Sequence, residues 1–150
     1  MKILIINGPN MSQLHARDGY GNASLQQVCQ TIQTYAQHKN IIVEFYNSDI
    51  EGEIVSKINT FDGYGIVINP AAYSHYSIAI ADALQIFKGK KVEVHITNLA
   101  NREQARKISI TAQACDGYIS GLGIYGYILG VKYIVDGTKY TSNTLAKGDQ

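Results

Sequence analysis

Apolar positions along the chain fall into two alternating patterns. Short runs rich in β-branched residues, ILII (3–6), IIVEFY (41–46), GIVIN (65–69), VEVHIT (92–97) and GYIS (117–120), have the length and composition of strands. Between them, SLQQVCQTIQTYAQHK (24–39), EGEIVSKINTF (51–61) and YSIAIADALQIF (76–87) carry apolar residues at helical spacing. A last helix is expected over IYGYILGVKYIV (124–135). Ser24 stands where its hydroxyl can accept a bond from a free N–H of the first helix, which predicts a cap. Strands alternating with helices of these lengths predict an α/β protein with one parallel sheet and helices on both faces.

Length adds one bound. A chain of 150 residues is expected to form a single domain, here residues 1–139, followed by a polar, partly disordered tail over 140–150. With 13 basic and 12 acidic residues and no block of like charge, composition offers no electrostatic case for nucleic acid or an anionic membrane surface. Cys29 and Cys115 lie far apart and form no CxxC pair, so they read as reduced thiols in a cytoplasmic protein. The apolar run at the N-terminus is stopped by Asn7-Gly8-Pro9, too early for a signal peptide, and no run approaches the ~18 apolar residues of a membrane span.

Parallel α/β sheets bind ligands beyond the carboxyl ends of their strands, where the strand order reverses. The residues expected at that edge are chemically coherent. After the first strand come Asn10, Arg17 and Tyr20; after the second, NSDIEGE; after the third, NPAAYSHYS; after the fourth, HITN. Two histidines, several amides and hydroxyls, an arginine and a tyrosine predict an active site where a solvated loop set would be richer in Lys, Glu and Ser. Imidazole gives or takes a proton near neutral pH, which suits His95 to general acid–base work. Glu93 lies two residues earlier on the same strand face, where a carboxylate can fix the His95 tautomer. His75 serves as a substrate hydrogen-bonder or a helix cap, and His15 and His38 read as surface residues.

Competing chemistries are weak. No HxxxH, HExxH or carboxylate–histidine cluster has metal-ligand spacing, so no metal is expected. GLGIYG (121–126) matches GxGxxG, but at the last strand and without a following acidic residue for a ribose. Its small residues are better read as letting the last helix approach the sheet. A P-loop, a GxSxG elbow and a flanked cysteine nucleophile are absent from the sequence, leaving proton transfer without cofactor as the simplest chemistry.

The order NGPN, Arg17…Tyr20-Gly21, FYNSDIEGEIV, NPAAYSHYSIAIADAL, VEVHITN with REQAR, and GLGIYGYILG resembles the type II 3-dehydroquinate dehydratases from residue 2 to about residue 135. The resemblance implies a flavodoxin-like, doubly wound parallel five-stranded sheet in a homo-oligomer built of trimers, usually a dodecamer. It also implies anti elimination of water from the small-molecule substrate 3-dehydroquinate to give 3-dehydroshikimate, in the shikimate pathway or quinate catabolism. By motif position, Tyr20 would be the base, held as tyrosinate by Arg17, and His95 the acid for the departing hydroxyl. Asn10 and Asn69 would line the site, Asn69 helping to position a water that stabilises the enolate. His75 and Arg106 would bind substrate hydroxyls, Ile96 and Thr97 the carboxylate, and Asp82 would enter from a neighbouring subunit.

Three departures accompany the resemblance. The stretch from Arg17 to Tyr20 is shorter than the family's usual lid and lacks its Glu-Pro; Ala71 replaces the glycine of NPGAY; and Ile50 replaces the histidine of SNHEGE. The alternative is therefore a catalytically weakened relative that keeps the oligomer and binds a cyclic hydroxy-carboxylate. An unrelated flavodoxin-like binding module is disfavoured, because the acidic pair and flavin-phosphate loop such modules carry after the first strand are missing.

Overall fold

Parallel strands buried on both faces need apolar residues at every position, and their side chains then divide alternately between two cores. A computed structural model describes residues 1–137, and the central strands Lys2–Asn7 and Gly65–Asn69 follow this rule, while the two edge strands are only partly covered. The five-stranded sheet comprises β1 (Lys2–Asn7), β2 (Ile42–Asn47), β3 (Gly65–Asn69), β4 (Lys90–His95) and β5 (Gly117–Ser120). All four pairings are parallel and the order is β2-β1-β3-β4-β5. Ile3, Ile5 and Val67 point into one core with helices α1 (Leu25–Gln37) and α4 (Tyr125–Asp136). Leu4, Ile6, Ile66 and Ile68 point into the other, with α2 (Glu51–Thr60) and α3 (Ile78–Ile86). The expected α/β, doubly wound architecture with helices on both faces is present. The last two residues of the expected domain and the whole expected tail lie outside the described residues.

Element ends move by one or two positions for local reasons. Ser24 caps α1 as expected, and the cap is reciprocal: Gln27 N–H donates to Ser24 Oγ at 3.2 Å, and Ser24 N–H donates to Gln27 Oε1 at 3.0 Å. The third helix starts at Ile78, later than the apolar spacing implied, because Ser77 Oγ accepts the Ile80 N–H at 3.0 Å and begins the helix there. The preceding Ala71–His75 is a separate 3₁₀ turn. β4 stops at His95, which leaves Ile96 and Thr97 in the loop beyond it. Between β4 and β5 the alternation of strand and helix breaks down into three 3₁₀ turns, Leu99–Asn101, Gln104–Arg106 and Thr111–Ala114.

The small-residue reading of the glycine motif holds at its last member: a Cβ added at Gly126 of α4 would lie 3.3 Å from an Ile119 methyl of β5. Beyond the motif, a Cβ at Gly130 would lie 3.2 Å from a Val67 methyl and 3.5 Å from Val92, so the backbone of this helix rests directly on β3 and β4. Tyr127, one turn earlier, is fully buried on the same helix.

Candidate active site

The carboxyl edge of the sheet carries a row of amides. Asn47, Asn7 and Asn69 are the last residues of β2, β1 and β3 and sit side by side in register. Asn7 and Asn69 are buried, and a buried amide must find hydrogen-bond partners or destabilise the fold. Asn7 Nδ2 donates to Asn47 Oδ1 at 2.9 Å, Tyr127 donates its hydroxyl proton to Asn7 Oδ1 at 2.5 Å, and Asn69 Nδ2 donates to Tyr127 at 3.0 Å. Asn69 Oδ1 accepts the Ala71 N–H at 3.1 Å, closing the chain onto the backbone of the next turn.

Beyond β1 the chain is pinned by Met11 and Leu14, both buried in the 3₁₀ helix Met11–Ala16. It then turns through Arg17–Tyr20, with Gly19 at φ 86° and Gly21 at φ 59° on either side of the tyrosine. Left-handed backbone at both flanks is what lets so short a loop point Tyr20 inward. The Tyr20 ring packs on the apolar core, and the Arg17 guanidinium lies over it, 4.7 Å from the ring centroid.

On β4, Glu93 is fully buried and has three donors: His95 Nε2 at 2.6 Å, Ser109 Oγ at 2.5 Å and Thr111 Oγ1 at 2.5 Å. With both carboxylate oxygens bonded, Glu93 acts as an anionic anchor for the imidazole and leaves Nδ1 as the ring nitrogen available to a ligand. His75 Nδ1 is bonded to the Ile108 carbonyl at 2.8 Å, which orients that ring from the β4–β5 connection.

These groups converge on one cleft lined by Arg17, Tyr20, Asn69, His75, His95, Ile96, Thr97 and Arg106 among others. Eight residues singled out from the sequence therefore share one wall system. Two do not. Asn10 lies outside the lining, exposed, at φ 63°, with its N–H donated to Asp49 Oδ1 at 2.8 Å. Asp82 lies on the exposed face of α3, one helical turn from the exposed Ile78 and one from the exposed Ile86.

Sequence reasoning missed four participants. Arg102 lines the cleft and donates from Nη1 to Thr97 Oγ1 at 3.2 Å. Since the guanidinium can only donate, the Thr97 hydroxyl proton is left for another acceptor. Ser109 and Thr111 were missed because they act on a buried residue from an irregular segment with no periodicity to read. Tyr127 was missed because it sits inside a motif whose glycines dominated the reading; the matching asparagine at the end of three strand runs was the signal that could have found its partners.

The remaining titratable groups argue against other chemistries. Burial raises the Cys29 thiol above its ordinary range, and burial with the nearby Glu93 charge pushes Cys115 up to about 12, so neither is an activated nucleophile. Among the described residues, no group of three or more His, Cys, Asp or Glu side chains is placed to hold a metal ion. No described helix is long and apolar enough to cross a membrane.

Comparison with known proteins gives a consistent picture. Residues 1–135 match the family described as Dehydroquinase class II. A 3-dehydroquinate dehydratase of Thermotoga petrophila is 48% identical over 136 residues, covering 89% of this chain and 94% of that protein. A 3-dehydroquinate dehydratase of Aliarcobacter butzleri is 50% identical over 135 residues, covering 87% and 82%. The crystal structure of type II dehydroquinase from Butyrivibrio crossotus superposes with a TM-score of 0.87 at 46% identity, covering 90% of this chain and 97% of that one.

Proposed function

The chain belongs to the class II dehydroquinase family, and from that premise we propose that it is a 3-dehydroquinate dehydratase, a hydro-lyase working without cofactor. The observation that carries this reading is the meeting of two prepared pairs, Arg17–Tyr20 and Glu93–His95, on a single cleft.

Anti elimination across a carbon–carbon bond alpha to a ketone needs a base for the proton, a stabiliser for the enolate and an acid for the leaving hydroxide. Tyr20 is the base. The Arg17 guanidinium, which lies over its ring, is the counter-ion of the tyrosinate. The enolate oxygen is stabilised through a water ordered by Asn69, with Asn10 contributing when the loop beyond β1 holds substrate. His95, oriented by Glu93, protonates the departing hydroxyl.

Substrate placement follows from the remaining wall. Thr97, whose hydroxyl proton is turned away from Arg102, and the backbone at Ile96 receive the carboxylate. His75 and Arg106 bind ring hydroxyls. Asp82 serves a neighbouring subunit's cleft in a trimer-based oligomer, a dodecamer in full. The exposed Ile78 and Ile86, each one turn from Asp82, support this because apolar side chains flanking a functional carboxylate suit a covered face. The unpaired thiols of Cys29 and Cys115 support a cytoplasmic setting, within the shikimate pathway or quinate catabolism.

Incubating the purified protein with 3-dehydroquinate tests the activity. The expected result is growth of the ultraviolet absorbance of a conjugated enone; a protein that binds the substrate without producing it is the weakened relative instead. Sedimentation velocity tests the assembly, where a monomer at micromolar concentration would overturn the role of Asp82.

A further inference from the structure

The direction of every hydrogen bond in the amide row is determined from one end. A backbone N–H can only donate, so the Asn69 atom facing Ala71 N–H is Oδ1, and the atom facing Tyr127 is Nδ2. The Tyr127 oxygen therefore accepts from Asn69, and its own proton goes to Asn7 Oδ1, 2.5 Å away. Asn7 in turn faces Asn47 with Nδ2. No amide in this chain can rotate by half a turn without setting two donors or two acceptors against each other.

One consequence reaches the cleft. Asn69 lines it, its Oδ1 is occupied by Ala71, and one of its two Nδ2–H groups is occupied by Tyr127. Oδ1 keeps a second lone pair, and the one donor that Asn69 has left is its other N–H. We propose that Tyr127 is a positioning residue: by accepting one N–H of Asn69 while giving its own proton to Asn7, it presents the second N–H to the cleft as a fixed donor for the enolate oxygen or the water upon it. Burial raises the Tyr127 phenol far above its ordinary range, partly offset by the bond from Asn69, so the hydroxyl keeps the proton this polarity requires. The inference rests on the dehydratase reading for the identity of the oxyanion, though the polarity of the chain does not.

The test combines Tyr127→Phe, Asn69→Ala and their double variant, with turnover of 3-dehydroquinate and exchange of the Asn69 side-chain amide protons followed by NMR. Outright loss of an oxyanion donor lowers kcat by about 10²–10³, so loosening one is expected to lower it about tenfold in Tyr127→Phe, with KM within about twofold. If Tyr127 acts through Asn69, the double variant is no slower than Asn69→Ala alone. Full kcat in Tyr127→Phe overturns the proposal, as do losses that multiply in the double variant. Should Tyr127→Phe fail to fold, Asn7→Ala leaves the phenol in place but frees its proton, and an unchanged kcat there is equally fatal. A wild type that turns over no 3-dehydroquinate sinks the dehydratase reading. The amide exchange decides the positioning independently: a slowly exchanging Asn69 N–H in wild type that becomes fast in Tyr127→Phe upholds it, and fast exchange in both overturns it.

Discussion

His95 Nε2 lies 2.6 Å from Glu93 Oε1, two residues back along the same strand and with no water-accessible surface on the carboxylate. Two hydroxyls, from Ser109 and Thr111, complete the shell around Glu93. A carboxylate so held needs its charge to orient an imidazole; a carboxamide in its place presents a donor where only acceptors fit. Glu93→Gln is expected to lower kcat by roughly 10²-fold, the scale of a misplaced general acid, with substrate still bound. Steady-state kinetics check it, and a kcat within twofold of wild type would remove Glu93 from the mechanism.

Tyr20→Phe keeps the ring under Arg17 and its packing on the core while deleting the hydroxyl. Turnover is expected to fall by at least roughly 10²-fold with thermal stability unchanged. Arg17→Met, which removes the cation but not the bulk over the ring, is expected to lower turnover by about tenfold or more. Normal activity in either variant would show that the short lid does not deliver the base.

Arg102 is expected to act on binding. Arg102→Gln leaves Thr97 without a charged donor to orient its hydroxyl, so KM for the carboxylate substrate rises by about fivefold to tenfold and kcat changes little. An unaltered KM would mean that Thr97 needs no such partner.

Ala71 adopts φ 53°, a left-handed conformation, at the position where the family resemblance implies glycine. The conformation costs an L-residue roughly 1–2 kcal/mol, more than the roughly 0.5–1 kcal/mol of chain entropy that glycine adds to the unfolded state. Ala71→Gly should therefore stabilise the protein by about 0.5–1 kcal/mol, read as a higher urea midpoint. A lower midpoint would show that the methyl's contacts in the cleft wall outweigh the strain.

Alkaline stability follows from Cys115. Its thiol is raised from 9.0 to about 12 by burial first and by the Glu93 charge second, against a smaller opposing effect of Lys91. The native state then holds a proton that the unfolded chain releases, so this stability is complete below about pH 9 and is lost as pH rises toward 12. Burial of Tyr127 acts in the same direction from about pH 10 upward. The urea midpoint should fall steadily across this range, and less steeply in Cys115→Ala. A midpoint independent of pH, or the same slope without the thiol, would contradict this assignment.

The strands and helices were legible in the spacing of apolar residues, because a parallel sheet covered on both faces demands apolar runs of strand length and amphipathic helices between them. Gly65–Asn69 and Gly117–Ser120 match the structure to the residue. The pairing of Glu93 with His95 was legible too, since residues two apart on a strand share a face. The β4–β5 segment was not, because its 3₁₀ turns leave no period, and with it went Arg102, Ser109 and Thr111.

Sequence alone thus determined the layer architecture, the edge where chemistry would gather, and most of the residues that gather there. Tertiary structure decided how the asparagines at that edge are bonded and how they point. Asn10 is adjacent to the site along the chain yet is exposed, its backbone N–H given to Asp49, while the side chains of the neighbouring Asn7 and Asn69 are linked through Tyr127, 120 residues beyond Asn7. Periodicity reports which face a side chain occupies, but the direction of a hydrogen bond depends on partners that only the assembled sheet and its last helix bring together.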